Sequence, residues 1–278
     1  MQPEARRRQE LIELCDLNFA EANRELSRRA GGAAHDEDGL LLYAGNHALP
    51  VLVNAVFRTS SRLAAADVLA RADAFFGARR RGYTVLCRAH ADDDLAAAAQ
   101  AAGMLASGNS PAMVLEQRLP DAAIPADVVL RRVETQEDAA AFGRLMGVAY
   151  GTYGMPLDCG PALVGTLDVL AAPHIATFVA LVGGEVAAGA TVIVTHGVAG
   201  VYWVGTTPVA RGRGLAELCT RAAGNAGFAL GARIAALQAS VMGEPVYRRM
   251  GYVEVTRYPS FVRMEPPPPS PSSTSSKA

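Results

Sequence analysis

The sequence predicts an α/β protein made of two units with a similar order of elements. Three observations carry this. The chain has 278 residues, and domains cluster near roughly 100–150 residues, so two are favoured over one. Half of the residues are hydrophobic and 19% are charged, the composition of a packed protein and not of a disordered one. In both halves Ala-rich helical stretches alternate with short Val-rich runs that read as strands. No close sequence repeat relates the halves, so the shared order points to an old duplication.

In the first half, residues 6–29 read as a helix with Leu11, Leu14, Cys15, Leu17 and Phe19 on one side, ended by Gly31-Gly32. Residues 40–44 and 49–57 read as strands joined by the turn Gly45-Asn46-His47. Residues 60–81 follow as a long helix and 83–88 as a strand. Residues 92–102 form a helix whose acidic start suits the helix dipole, and 112–117 a last strand. A linker at 119–125, bounded by Pro120 and Pro125, separates a domain over 1–120 from one over 126–265.

The second half reads as strand 128–133, helix 136–150, helix 161–170 and strand 175–182. The turn Gly183-Gly184 leads to strand 186–195, and a turn at 196–200 leads to strand 201–206. After Pro208 come helix 214–230, strand 234–240, helix 244–250 and strand 252–255. Residues 266–278 are Pro/Ser-rich and expected to form an unstructured tail.

The charge balance excludes several function classes. There are 26 basic and 27 acidic residues, net −1, and neither half is a charged arm. A basic stripe that would displace counterions from nucleic acid is missing. The four cysteines (Cys15, Cys87, Cys159, Cys219) and five histidines lack metal-ligand spacing. They read as free thiols in a reducing compartment. No apolar signal core follows the N-terminal Arg6-Arg7-Arg8, which makes a cytoplasmic location the expectation. Residues 186–210 carry no charged side chain and are long enough to span a bilayer. His196-Gly197 splits them, Pro208 ends them, and their Val and Thr content favours two adjacent buried strands.

The chemistry concentrates in 201–252. There Arg211-Gly212-Arg213-Gly214-Leu215-Ala216 fits R-x-x-G-x-[GA]. In a chain rich in Arg, Gly and Ala the pattern is weak: about 0.7 chance matches are expected, and it occurs five times. Only the match at Arg211 follows a strong strand and opens an amphipathic helix, with Leu215, Leu218, Cys219, Ala222 and Ala226 on one stripe. A helix start offers unpaired N–H groups and a positive dipole end, and glycines let an anion approach the backbone. The segment is therefore either a phosphate or pyrophosphate site or an ordinary Gly-rich turn. No GK[ST] follows, and the third glycine and ribose-binding acid of a dinucleotide fingerprint are missing.

Together with Tyr247-Arg248-Arg249-Met250-Gly251-Tyr252, which is similar to a Y-x-x-x-G-F ending, this segment resembles the acetyl-CoA-binding core of the GNAT superfamily of N-acyltransferases. The two motifs cover about 50 residues, and a looser likeness covers 128–258. The resemblance implies two GNAT-like domains, each a mixed, mostly antiparallel sheet flanked by helices, with the cofactor loop retained only in the second. It implies that strands 201–206 and 234–240 splay apart to take the pantetheine arm of coenzyme A along Val204, Gly205 and Thr206. It further implies that the pyrophosphate sits on backbone N–H groups of Arg211, Gly212, Arg213, Gly214, Leu215 and Ala216, with Ser240 either touching the cofactor or merely ending its strand. The N–H near Val204 would polarise the thioester carbonyl. Tyr247 matches the position that often protonates the departing thiolate, or is a packing aromatic.

The general base departs from the common pattern, because no carboxylate lies between Glu185 and Glu217. His196, Asp158 and Glu244 are candidates, and an acceptor that is already partly neutral needs no dedicated base. Tyr150, Tyr153, Met155 and Asp158 fall where the family lines its acceptor pocket, or form a surface loop. The expected activity is N-acetyl transfer from acetyl-CoA to an amine of a small molecule or protein, without nucleic acid, membrane or metal. The alternative is an acyl-CoA-binding module that does not turn over.

Overall fold

A computed structural model describes residues 3–266, so the tail expected at 266–278 lies outside the described residues apart from Pro266. Helix α1 (Pro3–Arg29) is followed by β1 (Ala33–Glu37), β2 (Leu40–Ala44), β3 (Asn54–Arg58), α2 (Ala65–Gly77), β4 (Tyr83–Leu86), α3 (Asp93–Ala101) and β5 (Leu105–Leu115). The second half runs β6 (Val128–Arg132), α4 (Gln136–Tyr150), α5 (Cys159–Val164), α6 (Leu167–Leu170), β7 (Ile175–Val182), β8 (Glu185–Thr195) and β9 (Val198–Thr206). It ends with α7 (Leu215–Ala229), β10 (Ile234–Gln238), α8 (Glu244–Arg249) and β11 (Val253–Arg263).

The eleven strands among the described residues form one sheet, in the order β1-β2-β3-β4-β11-β5-β10-β9-β8-β7-β6. Only β3–β4 and β9–β10 are parallel. The centre is an exchange: β11, from the end of the chain, lies between β4 and β5, while β5, from the first half, lies between β11 and β10. Each half lends a strand to the other.

The sheet is covered on both faces, and strand alternation assigns the faces. On β10, Ile234 and Ala236 pack with Leu11, Ile12 and Cys15 of α1. Its Ala235 and Leu237 pack on the other face with Leu215, Leu218 and Cys219 of α7. Helices α2 and α3 cover Leu40, Leu42, Val56 and Val85 on the α7 side. Burial on both faces explains the uncharged run at 186–210, which forms β8 and β9 around the His196-Gly197 turn. No helix among the described residues is long and apolar enough to cross a membrane.

Several elements differ from expectation for identifiable reasons. Leu17 is exposed, and Asn18 takes the inward position on α1. Strand β3 starts only at Asn54, because the Asn54 side chain ties 47–49 into a loop by donating to the carbonyls of His47 (3.0 Å) and Leu49 (2.7 Å). The helix expected at 161–170 is two, split where the Gln136 side chain bonds Gly165 O (3.0 Å) and Leu167 N (2.9 Å). Strands β5 and β11 are far longer than expected and pair with each other through polar and Pro-containing stretches, Pro111 opposite Arg257 and Pro259 opposite Asn109. The edge strand β1 went unexpected.

Candidate functional site

The parallel pair β9–β10 opens like a V. Val198–Gly200 pair with Ile234–Ala236, and beyond that point β9 continues to Thr206 without a partner on the β10 side. Its pairing with β8 is also interrupted: Gly189 faces Gly205 and Thr191 faces Tyr202, leaving Trp203 and Val204 opposite Ala190 alone. This is a β-bulge, with Trp203 at φ 50°. A positive φ is uncommon for a large side chain, and bulges take backbone groups out of the ladder and re-aim side chains. Gly205 follows at a close approach: a Cβ there would lie 2.9 Å from Ala149 Cβ and 3.0 Å from Met146 Sδ of α4. The Thr206 hydroxyl is buried without a hydrogen-bond partner.

From Thr206 the chain turns through Pro208–Ala210 into the glycine loop. Gly212 and Gly214 have φ of 78° and 75°, and a Cβ at either would meet nothing within 4 Å. Glycine is required here by backbone conformation, and the space above the loop is open. Gly214 is the N-cap of α7, and no side chain caps that end. The first N–H groups of α7 are therefore available to an anion. Leu215 is buried and Ala216 half-buried, so each offers only its backbone. Both arginines of the loop have partners within the chain. Arg211 donates to Thr152 Oγ1 (2.6 Å) and Arg213 to Asp127 Oδ2 (2.6 Å).

The V opens onto a cavity of about 280 Å³. One wall belongs to the second half: Tyr150, Trp203, Val204, Gln238, Ser240 and Tyr247. The other comes from the first half and β11, including Phe19, Asn23, Tyr43, Thr84, Ser110 and Tyr258. Tyr247 is buried on α8, and burial pushes its phenol up to about 12, against a smaller opposing effect of the Thr220 hydroxyl. The ring of Tyr150 lies 5.3 Å from Trp203 and 6.0 Å from Tyr153. Tyr153 is half-exposed and donates to Ser240 Oγ at 3.0 Å.

Of the expected residues, the fold brings Tyr150, Tyr153, Val204, Ser240 and Tyr247 together, and Trp203, which was not expected there, joins them. His196 is not among them. It sits exposed in the β8–β9 turn, about 25 Å from Val204 by strand rise, because the hairpin turns at the end of β9 opposite the V. Asp158 is exposed outside the cavity, with His47 Nε2 at 3.6 Å. Glu244 pairs with Arg248 at 2.7 Å, and Met155 is buried among α4 and α5. The first-half wall was missed residue by residue, since nothing in Phe19 or Tyr43 as sequence marks either as facing Trp203, which lies 160 or more residues further along the chain. No group of three or more metal-ligating side chains occurs among the described residues. All four cysteines are buried, and burial pushes Cys15, Cys87 and Cys219 up to about 12 and Cys159 up to about 11.

The first half has its own parallel pair, β3–β4, with Ala55–Phe57 beside Thr84–Leu86. Where β9 and β10 separate, β3 and β4 are instead joined by a buried ion network. Arg58 Nε donates to Asp92 Oδ1 (2.9 Å) and Arg58 Nη1 to Leu63 O (3.0 Å), while Arg88 Nε donates to Asp92 Oδ2 (2.8 Å). Arg58 and Asp92 are 1% exposed. The gap that is open in the second half is filled here by side chains, and no glycine loop follows.

No protein-family model matches the sequence, and no curated protein matches it. Solved structures do. A GCN5-related N-acetyltransferase from Kribbella flavida superposes with TM-score 0.68 at 21% identity, covering 88% of this chain and 94% of that one. A GCN5-related N-acetyltransferase from Sphaerobacter thermophilus superposes with TM-score 0.58 at 16% identity, over 83% and 78% of the two chains. A tandem GNAT protein from the clavulanic acid biosynthesis pathway gives TM-score 0.54 at 17% identity, over 81% and 78%. With its splayed parallel strands, bulge and glycine loop in one mixed sheet, the chain has the fold of the GCN5-related N-acetyltransferases.

Proposed function

We propose that the chain is an N-acetyltransferase that moves the acetyl group of acetyl-CoA to an amine. The observation that carries this is the juxtaposition of three features: a strand edge left unpaired on β9, an uncapped glycine loop at its end, and a cavity lined by Tyr247 at its mouth. The residues fit the cofactor. Val204 and Thr206 offer β9 backbone groups and an unpartnered hydroxyl to the pantetheine arm, a strand-addition mode. Gly212 to Ala216 offer backbone N–H groups to the pyrophosphate. When bound, acetyl-CoA supplies an activated acyl carbon, and over the reaction a nitrogen–carbon bond replaces the carbon–sulfur bond while one amine proton ends on sulfur.

The chain's own groups have separable tasks. The bulge leaves Trp203 and Val204 opposite Ala190 alone, and the Val204 N–H is assigned to oxyanion stabilisation. Tyr247 holds a proton throughout the neutral range and serves as the acid. Ser240, held by Tyr153 and by Gly243 N at 3.2 Å, orders the end of β10. The reading places the activity in the cytoplasm, with which four buried, unpaired cysteines agree.

Calorimetric titration of the full chain with acetyl-CoA and CoA, with NAD and ATP as controls, tests the reading. One saturable CoA site per chain, lost in Gly214→Asp, is expected. No CoA binding by a folded chain overturns it. CoA binding without transfer to any amine in a broad panel replaces it with a non-catalytic binding module.

A further inference from the structure

Among the described residues, no Asp, Glu, Lys, Arg or His contributes to the lining of the cavity. Its walls are rings and neutral polar groups. Phe19, Tyr43 and Tyr258 stand on one side with the amide of Asn23 and the hydroxyl of Ser110, and Tyr150, Trp203 and Tyr247 on the other with the amide of Gln238. Burial raises the phenols of Tyr43, Tyr150, Tyr202 and Tyr258 above their ordinary value, and Tyr247 with them, so all stay neutral at physiological pH. Asp16 lies behind Tyr258. It accepts the Tyr258 hydroxyl at 2.6 Å and faces His90 Nε2 at 3.0 Å, so its charge is satisfied outside the cavity wall.

Two physical consequences follow for the acceptor. An ammonium group entering the cavity sheds hydration and finds no counter-ion. It also finds no base to take its proton, and a protonated nitrogen has no lone pair with which to attack. Ring faces attract cations too, but an amine held that way remains protonated. The cavity volume of about 280 Å³ lies near the small end of ligand pockets, which run from roughly 300 Å³ upward, and suits a small molecule.

We propose that the acceptor is a small aromatic amine that is uncharged at neutral pH, held between the ring wall of the first half and the Tyr150–Trp203 pair of the second. The amides of Asn23 and Gln238 read its polar substituents. The inference rests on the acyl-transfer reading above and gives the first half its role: it is the specificity wall of the second half's site.

Trp203 is the only tryptophan and lies in the wall, so its fluorescence reports occupancy without acetyl-CoA. The full chain is titrated with 4-methylaniline and 4-aminobenzamide, and separately with spermidine, glycine and an N-acetylated lysine amide, with calorimetry in parallel. The expected result is a saturable Trp203 signal for the two neutral arylamines, with Kd at least tenfold below those of the charged amines. In Leu52→Asp, which puts a carboxylate on an exposed loop at the cavity edge, the order should narrow or reverse. Equal or tighter binding of the charged amines by the unaltered chain overturns the proposal, as does arylamine binding that leaves Trp203 unchanged. Acetyl-CoA binding with transfer only to charged amines overturns it while acyl transfer stands. Absent acetyl-CoA binding overturns both.

Discussion

The Tyr153 hydroxyl donates to Ser240 Oγ at 3.0 Å, joining the loop after α4 to the end of β10 across the cavity mouth. Both residues are exposed, so the bond positions the mouth more than it stabilises the fold. In Tyr153→Phe the stability change should stay within about 1 kcal/mol. The KM for acceptor should rise several-fold with kcat little changed, as measured by steady-state kinetics over a range of acceptor concentrations.

Gly214→Asp tests the loop. At φ 75° a non-glycine residue costs about 1–2 kcal/mol, partly offset because Asp favours N-caps and tolerates this region. The melting temperature should therefore move by only a few degrees. The added negative charge opposes the pyrophosphate, so CoA affinity should fall at least tenfold. Gly214→Ala, with similar strain and no charge, should lose much less. Equal losses in the two variants would assign the effect to backbone strain instead.

Tyr247→Phe should lower kcat while leaving CoA affinity within about twofold. A proton donor works below its pKa, and burial pushes Tyr247 up to about 12. Loss of the donor by ionisation should therefore be invisible from neutral pH to about pH 10. A pH–kcat profile of the unaltered chain that falls between pH 8 and 9 would assign the proton to another group.

Asn18 pins α1 to the second half. It is 1% exposed, donates to Thr195 Oγ1 at 2.8 Å and accepts the Tyr202 hydroxyl at 2.6 Å. Asn18→Leu leaves the Tyr202 hydroxyl without its partner and should cost about 1–3 kcal/mol in urea unfolding. Adding Tyr202→Phe should recover part of that loss, since removing both partners costs less than removing one.

Asp92 should set part of the acid sensitivity of the fold. Burial by itself raises its carboxyl, but hydrogen bonds and charge from Arg88 and Arg58 outweigh this and hold it below the ordinary value. A depressed folded pKa contributes stability above the unfolded value, about 3.9, and loses it as pH falls through the folded one. Asp92→Asn should destabilise by about 3–5 kcal/mol near neutrality, since it leaves two buried guanidinium groups underpaired. It should also flatten the acid limb of a stability–pH curve, read by unfolding at a series of pH values.

The parts legible in sequence were those written in local chemistry. The Gly212/Gly214 loop stood out from four similar matches because a Val-rich strand precedes it and an apolar stripe at helical spacing follows. Strand β7 and helix α4 appeared at their observed bounds because each has one clear period and a clear punctuation. Tyr247 and Val204 were placed by the resemblance of the motifs around them, and the fold brings both into the cavity lining.

What sequence could not contain was the choice of distant partners. Strands β5 and β11 pair through Ser, Gly, Asn and Pro stretches with no strand period of their own. Their extended form is imposed by the exchange between halves, where each supplies the other's hydrogen bonds. His196 was a candidate base from its side-chain type, yet the hairpin carries it to the far end of β9. Nothing in the sequence marks Arg58, Arg88 and Asp92 as buried, because a charged residue is normally solvated, and only packing shows them between the ends of β3 and β4. The sequence by itself determined the glycine loop, its helix and the apolar strand before it, since backbone conformation and periodicity act within a few residues. The tertiary structure alone decided that the first half closes the second half's cavity with uncharged rings, since that wall is assembled from strands whose neighbours in space are far apart in the chain.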